Sequence, residues 1–332
     1  MNGSKFGPPL IATGCCAVIG AVLAPGSDYV LYVATAIAWL AIMAISFDVV
    51  LGYTGYLSLA HGSLYGVGAY TCANLTTKLG WSFWLALPAS GLAAALVGAL
   101  VAAAAFRTKG LYFAVVTLGL GLIGYQLFIF FQPLTGGIGG FVGIPSPPQL
   151  PGLAGKVALS NFLLALIVAW VTFVASHFFC RSRTGIACLA IREDATLTQA
   201  MGIRIGLPRM ASFTFSAFFA GIAGALFAAS SNFVGPDSFA VLNTGFHLVV
   251  AVVVGGMGTL WGPALGAVIL TILPEALRGA STLSLLAYGV LLLGFVLFAP
   301  HGLAGLILNA VKRRRGAARH VKADAPAPEA KL

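Results

Sequence analysis

The chain has 332 residues, of which 59% are hydrophobic and only 8% carry a charged side chain. Because a soluble domain typically carries about 25% charged residues, this composition excludes a soluble globular protein. The apolar runs are continuous rather than alternating, and several reach the roughly 20 residues that cross a bilayer as a helix, which excludes an outer-membrane barrel. We therefore expect an all-α polytopic membrane protein: one transmembrane domain over residues 1–310, a helical bundle of eight to ten spans with short broken or re-entrant segments.

Ten apolar runs bounded by proline, glycine or charge are the predicted spans. They cover residues 8–24, 29–50, 57–76, 83–106, 111–131, 160–180, 210–232, 241–258, 262–274 and 283–300. The pair 241–258 and 262–274 is short and rich in glycine. It fits either two short helices or one helix and a re-entrant piece, and the predicted count of spans depends on which is correct.

The net charge of +10 is unevenly distributed along the chain. A ten-span topology that starts in the cytoplasm places fifteen of the 18 lysines and arginines on the cytoplasmic side, in agreement with the positive-inside rule. Both termini and the loop 181–209 are therefore expected in the cytoplasm, with 311–332 as a basic, disordered tail. The basic clusters are interpreted as topology signals beside anionic lipid, not as a nucleic-acid site.

The most unusual span begins GYTGYLSLAHGSLYGVGAY, at residues 52–70, with five glycines and one histidine. Small residues four apart, such as Gly62 and Gly66, allow two helix backbones to approach closely. Glycines also allow a helix to break beside a transported substrate. Both interpretations assign the same residues to helix packing or to the translocation path: Gly55, Ser58, His61, Gly62, Tyr65 and Gly66.

His61 is the one residue of this stretch with evident chemistry. On a helix, Ser58 lies one turn before it and Tyr65 one turn after it, so the three polar side chains share a face. One interpretation is an interior histidine that hydrogen-bonds Ser58 or a neighbouring helix. The other is a polar lining for the path.

Residues for catalysis are sparse. The one Gly-Lys pair, Gly155-Lys156, lacks the first glycine and the Ser/Thr of a phosphate-binding loop. The candidate ionisable residues inside the spans are Asp48, His61, His247 and Glu275, and no two of these lie four apart on one helix; His177 and His301 lie at cytoplasmic span ends. The five cysteines include no C-x-x-C pair. We therefore expect a protein that is not an enzyme, binds no metal and binds no cofactor itself; coupling to an ion gradient lacks obvious residues.

The loop 181–209 gives the clearest functional signal. Its Ala187–Met201 segment interleaves apolar residues with charged ones and predicts an amphipathic helix, which ends at Gly202. A short amphipathic helix held along the membrane is suited to insertion into a groove on a soluble partner.

Five segments in the same order resemble the permease subunits of ATP-binding-cassette importers for branched-chain amino acids (LivM type). These segments are GYTGYLSLAHGSLYGVGAY at 52–70, KGLYFAVVTL at 109–118, the stretch 182–203, VGGMGTLWG at 254–262 and FAPHGLAGL at 298–306. The resemblance extends from about residue 30 to 310.

This resemblance implies that ATP is bound by two separate cassette ATPase subunits. It also implies a second, related permease subunit, a heterodimer with this chain being expected, and an extracytoplasmic substrate-binding protein. The membrane would be the bacterial inner membrane. The residues implied to lie in the coupling loop that contacts the ATPase are Arg192, Glu193, Asp194 and Gly202. One departure is that Thr196-Leu197-Thr198 stands where importers often carry Glu-Ala-Ala.

The residues leave the substrate open. Related permeases serve branched-chain amino acids, but also urea, short amides and aromatic amino acids. A self-sufficient secondary transporter or channel is the alternative of a different class.

Overall fold

The computed structural model describes residues 26–108, 110–150 and 155–277, with the short pieces 13–14, 19–20, 23, 289 and 302–305. The predicted spans 8–24 and 283–300 lie largely outside the described residues, as does the whole tail 311–332. The other eight predicted spans, which lie between these two in the chain, fall within the described residues.

The described part of the chain is almost entirely helical. Its α-helices are α1 (Asp28–Thr54), α2 (His61–Thr77), α3 (Phe83–Ala105), α4 (Leu111–Phe130), α5 (Gln132–Thr135), α6 (Val157–Arg181), α7 (Arg183–Glu193), α8 (Ala195–Ala200), α9 (Gly206–Ser231), α10 (Phe246–Gly255) and α11 (Gly262–Leu277). Two short antiparallel strands, β1 (Phe141–Val142) and β2 (Phe233–Val234), pair with each other. Turns of 3₁₀ helix span Gly137–Gly139 and Pro236–Phe239, and Val241–Gly245 is a π-helical turn.

Five of these helices, α1, α3, α4, α6 and α9, are long and apolar enough to cross a membrane. The predicted all-α polytopic membrane fold is confirmed. The predicted pair at 241–274 is resolved as two short helices. Since α10 has ten residues, it extends only about 15 Å, roughly half of a bilayer core.

The boundary between the second and third predicted spans lies elsewhere than expected. Helix α1 continues to Thr54 and ends because Gly55 adopts a left-handed conformation (φ 75°), from which its N–H bonds the Leu51 carbonyl. Helix α2 does not begin until His61, so placing Ser58 on the same helix as His61 is wrong. Hydropathy missed this break because the linking residues are as apolar as the helices.

The single amphipathic helix predicted over 187–201 is also wrong. The chain forms two helices, α7 and α8, that meet at Asp194 in an extended conformation (φ −154°, ψ 107°). An aspartate side chain competes with a continuous helix by capping the one that follows it.

Helix α9 lies at the centre of the bundle and packs against α1, α2 and α3. Close approach depends on glycine: a Cβ at Gly68 of α2 would overlap the backbone of Gly221 in α9, and one at Gly224 would overlap the Tyr65 carbonyl. The surrounding core includes fully buried Phe47 and Phe213. Small residues at these crossings allow backbones to pack directly, as in membrane helix pairs generally.

The loops gather at two ends of the bundle. At one end, Arg192 reaches the last turn of α1, and Arg209 lies over the Tyr56 ring, 4.5 Å from its centroid. At the other end, Lys78 bonds the Pro133 carbonyl, and β1 pairs with β2. Loops 55–60, 181–205 and 256–261 thus share one end, as the predicted ten-span topology requires.

Candidate functional site

A groove opens between α1, α2, α9, the irregular segment 236–245 and the first turn of α10. Its volume is about 220 Å³. It is lined by Ala36, Trp39, Leu40, Met43, Tyr65, Phe227, Ser238, Asn243, Thr244 and His247. The lining therefore combines an apolar wall from α1 and α9 with hydrogen-bonding side chains from the irregular segment.

The irregular segment satisfies its own polar groups. The Asn243 side chain donates to the Asp237 carbonyl at 3.0 Å, and Thr244 Oγ1 donates to the Ser238 carbonyl. Phe239, fully buried, fixes the segment against Tyr65 and Tyr70 of α2. Non-helical backbone within a membrane protein is tolerated where it is buried in protein or lines a cavity, which is the position of this segment.

Trp39 lines the groove and has an unpaired hydrogen-bond donor. Its side chain is 6% exposed, and within the described residues the indole Nε1 has no hydrogen-bond partner. Its ring is held edge-on by Tyr32 and Phe227. Because buried donors are nearly always paired, an unpaired one in a groove is a candidate contact for a ligand oxygen.

A second, larger groove of about 360 Å³ lies between α2 and α4, close to α5. Asn74 Nδ2 donates to the carbonyls of Tyr70 at 2.7 Å and Leu134 at 2.6 Å, whereas within the described residues Asn74 Oδ1 and the Tyr70 hydroxyl have no hydrogen-bond partner. Most of the remaining lining is apolar, including Val67 and Leu127. Both grooves therefore have unpaired polar groups in their linings, and the smaller one is the candidate site because its lining includes non-helical backbone, which membrane proteins tolerate where it lines a cavity.

The structure places His61 inside the bundle. It is fully buried; its Nδ1 lies 3.1 Å from Ser58 Oγ and its Nε2 lies 3.0 Å from Ser216 Oγ of α9. Phe47 and Phe213 cover the ring at centroid distances of 4.7 and 5.0 Å. Neither of the two described grooves is lined by His61, so its observed contacts are those of a residue joining helices.

The predicted glycines lie at close contacts as well. A Cβ at Gly62 would lie 3.0 Å from the Phe239 carbonyl oxygen, and one at Gly66 would enter the Phe128 ring. Gly55 ends α1. Of the six residues predicted for packing or the path, Tyr65 is the one found in the lining of the smaller groove. The groove residues of 238–247 were missed, although the turn signal Gly235-Pro236-Asp237-Ser238 precedes them.

Loop 181–205 presents an apolar surface. Leu197 is 60% exposed and Met201 74% exposed. Exposed apolar side chains also include Ile186, Leu189 and Leu207. Exposed apolar residues clustered on a polar loop are typical of a protein contact surface.

The four predicted coupling residues have different roles within this loop. Asp194 caps α8: its Oδ1 accepts from the N–H groups of Thr196 at 2.8 Å and Leu197 at 3.0 Å. Gly202, in the left-handed region (φ 83°), ends α8. Glu193 is exposed. Arg192 turns back towards α1, where it donates to the Gly52 carbonyl.

Loop 181–205 is anchored firmly to the bundle. Cys188 and Ile191 are buried residues of α7 that face the bundle. Cys188 Sγ lies 3.5 Å from the Pro208 carbonyl at the start of α9. Burial raises the pKa of the Cys188 thiol to about 11, so it stays protonated at neutral pH. The loop is therefore in direct contact with the start of α9.

Within the described residues, no group of three or more His, Cys, Asp or Glu side chains comes together as a metal site. The described residues combine a groove lined by apolar and polar side chains with an anchored contact loop at one end of the bundle.

Comparison with known proteins identifies similar chains. Residues 29–300 match the family model for the permease component of branched-chain amino acid transport systems. The high-affinity branched-chain amino acid transport system permease protein LivM of Escherichia coli is 35% identical over 301 residues, covering 84% of this chain and 70% of that protein. LivM of Salmonella typhimurium is 34% identical, and the match covers 84% of this chain and 70% of that protein. The corresponding permease protein BraD of Pseudomonas aeruginosa is 27% identical over 292 residues, with 80% and 91% covered. No solved structure matches the chain.

Proposed function

Because this chain belongs to the family of permease components of branched-chain amino acid transport systems, we propose that it forms part of the translocation pathway of an ATP-binding-cassette importer for branched-chain amino acids. The observation that carries this proposal is the groove of about 220 Å³ between α1, α2, α9, the irregular segment 236–245 and the first turn of α10. Discontinuous helices beside a cavity are the usual substrate-contact elements of membrane transporters.

The lining of the groove supports an amino acid with an apolar side chain. Leu40, Met43 and Phe227 offer an apolar wall, while the unpaired Trp39 Nε1–H suits a carboxylate oxygen. Urea and short amides have no use for the apolar wall. Among the described residues that line the groove none is Asp, Glu, Lys or Arg, which disfavours an ion-coupled secondary transporter.

The partners follow from the same proposal. Two cassette ATPase subunits bind ATP, and one of them docks on loop 181–205; a second related permease completes the pathway, and an extracytoplasmic binding protein delivers the substrate. This chain itself carries out no catalysis and binds no cofactor. It lies in the bacterial inner membrane with both termini in the cytoplasm.

Trp39→Phe in the reconstituted transporter tests the proposal. The change keeps the aromatic packing against Phe227 but removes the Nε1–H donor, so ATP-dependent leucine uptake should fall roughly tenfold, as expected for losing one hydrogen bond to a charged group. Initial rates of radiolabelled leucine uptake into proteoliposomes measure this.

The matched control is Trp84→Phe on α3, because Trp84 is an exposed tryptophan that does not line either groove. Unchanged uptake by Trp39→Phe would exclude this groove as the route. Uptake by the wild-type complex without ATP would exclude the importer itself.

A further inference from the structure

Arg192 connects the loop that carries the apolar surface to the membrane helices. It lies in the last turn of α7, and its Nη1 donates to the carbonyl of Gly52, in the last turn of α1. The last four carbonyls of a helix lack partners within it, and a cation is favoured at this end. Although much of the Arg192 side chain is exposed, its guanidinium is therefore directed inward.

The turn between α10 and α11 meets the same point. The Gly258 N–H donates to Asp48 Oδ1 at 2.7 Å, and Asp48 lies one turn before Gly52 on α1. A Cβ at Gly258 would lie 3.2 Å from Arg192 Nη1, and one at Gly52 would overlap both the Asp48 carboxylate and the Gly258 N–H. Arg192, Gly52, Asp48 and Gly258, here called the Arg192 network, thus join three separate elements.

The burial of Asp48 supports the view that the Arg192 network holds three elements together. It is fully buried, and within the described residues its second oxygen, Oδ2, has no hydrogen-bond partner. A buried carboxylate is retained only where its surroundings compensate for the lost water. The Gly258 N–H and the positive charge of Arg192 offset part of that cost, and through them Asp48 ties α1 to the α10–α11 turn and to α7.

The network leads towards the groove. Gly258 follows α10, whose other end supplies His247 to the groove lining and is preceded by the turn that supplies Asn243 and Thr244. A displacement of loop 181–205 would therefore reach the groove through Gly258 and the ten-residue helix α10. This route is separate from the contact of Cys188 with the start of α9.

We propose that Arg192 is a positioning residue of the importer that transmits movement of loop 181–205 to α1 and the α10–α11 turn, and that it does so through Gly52 and Gly258 rather than by touching the ATPase. The inference rests on the proposed docking of an ATPase on this loop. Under this proposal, Glu193 and the exposed apolar residues lie on the face of loop 181–205 that meets the ATPase, and Arg192 lies on the face that meets the membrane helices.

The decisive experiment compares Arg192→Ala, Arg192→Lys and the control Arg183→Ala in the full complex of both permeases, the ATPases and the binding protein. Arg183 is an exposed arginine on the same helix, so its removal changes the charge equally. Three quantities are measured: ATPase subunits co-purified per permease, ATP hydrolysis, and leucine taken up per ATP hydrolysed.

We expect Arg192→Ala to retain the ATPase subunits and to hydrolyse ATP, while uptake per ATP falls at least about fivefold, within the range of site-to-site coupling. Arg192→Lys, which keeps a charged donor, should recover most of the loss, and Arg183→Ala should match the wild type. Wild-type uptake per ATP in Arg192→Ala would overturn the proposal. Loss of the ATPase subunits would overturn it as well, since it would place Arg192 at the ATPase contact.

Gly258→Ala provides an independent test, because it disturbs the network from the α10–α11 turn. If both residues act in one network, the double variant with Arg192→Ala should lose no more uptake per ATP than the worse single variant. Losses that multiply would contradict a shared network. Should Arg192→Ala fail to accumulate, Gly258→Ala alone decides: an intact complex with normal uptake per ATP overturns the inference. A wild-type complex with no ATP-driven uptake would instead refute the proposed function, and this inference with it.

Discussion

His61 joins segments that are far apart in the chain. Its two ring nitrogens contact Ser58, just outside α2, and Ser216 on α9. Both hydroxyls and the ring are fully buried, so neither nitrogen can exchange its partner for water. A buried polar group that loses its partner costs free energy, even though a satisfied pair adds only modestly to stability. His61 is therefore expected to fix the position of α2 relative to α9.

Ser216→Ala should lower the free energy of unfolding by about 1 kcal/mol, because it leaves the Nε2 of His61 without its partner. Ser231→Ala, on the same helix, is the control: within the described residues the Ser231 Oγ has no hydrogen-bond partner. Thermal unfolding of the two variants in detergent measures the difference. Equal destabilisation of both would show that the His61–Ser216 contact contributes nothing.

Residues 55–60 show what the sequence conveys at this scale. An interior His61 that hydrogen-bonds Ser58 is one of the two interpretations that the sequence allows. The contact exists, but Ser58 lies outside α2. The partner on α9, the edge-on packing of Trp39 and the inward turn of Arg192 all depend on helices that are distant in sequence. No local pattern in one chain encodes those contacts.

At the scale of elements, the crossing of α2 and α9 is made by glycines. Gly68 and Gly221 bring the two backbones into direct contact, and Gly221 also meets Ser90 and Ala94 of α3. Three helices therefore meet at one pair of residues without side chains. Such packing leaves no space for an added methyl group.

Gly68→Ala should lower stability by roughly 1–3 kcal/mol, because its Cβ would overlap the Gly221 backbone and force the helices apart. Gly119→Ala on α4 is the control, since a Cβ there meets nothing within 4 Å. That variant should be neutral or gain up to about 1 kcal/mol from helix propensity. Apparent melting temperatures in detergent compare them, and a Gly68→Ala variant as stable as the wild type would contradict the observed crossing.

The helix pair α7–α8 is the element that the proposed ATPase would contact. Leu197 and Met201 are the exposed apolar side chains nearest its tip, whereas Asp194 is occupied in capping α8. The amphipathic pattern of this loop predicted a docking helix, which stays a prediction. It missed the division into two helices, because capping by an aspartate depends on a local conformation that periodicity does not report.

Leu197→Asp together with Met201→Asp should weaken association with the ATPase subunits at least about tenfold, since apolar anchors dominate interface energies. Thr196→Asp is the control, because it adds a negative charge at an exposed, polar position on α8. Co-purification from detergent and quantitative titration of the ATPase measure the effect. Equal binding by the double variant and the control would exclude this surface as the docking site.

At the scale of the whole molecule, the two ends of the bundle are distinct. One gathers 55–60, 181–205 and 256–261, which include the Arg192 network. The other gathers 131–150 and 232–240. The long apolar runs and their flanking charges were sufficient to predict this arrangement. The irregular segment 236–245 was not predicted in full, because hydropathy and periodicity do not distinguish a π turn that runs directly into a helix, as Val241–Gly245 does, from the helix itself.

Ile138 and Met201 should label from opposite sides of the membrane. They are 81% and 74% exposed, respectively, and lie in loops at the two ends. In a cysteine-free background with preserved uptake, a membrane-impermeant maleimide should label Ile138→Cys in intact spheroplasts, and Met201→Cys only after permeabilisation. The reverse pattern would contradict cytoplasmic termini.

The pairing of β1 with β2 has a consequence for how the protein opens locally. Phe141 and Val142 pair with Val234 and Phe233, and the Asn232 side chain at the end of α9 donates to the Ile144 carbonyl at 2.7 Å. Segment 136–146 is therefore held to the end of α9 by both backbone and side-chain bonds. Cooperative units in proteins often coincide with such paired segments. The amide hydrogens of segment 136–146 should accordingly exchange with solvent together with those of the last turn of α9, because the segment and that helix end open as one unit.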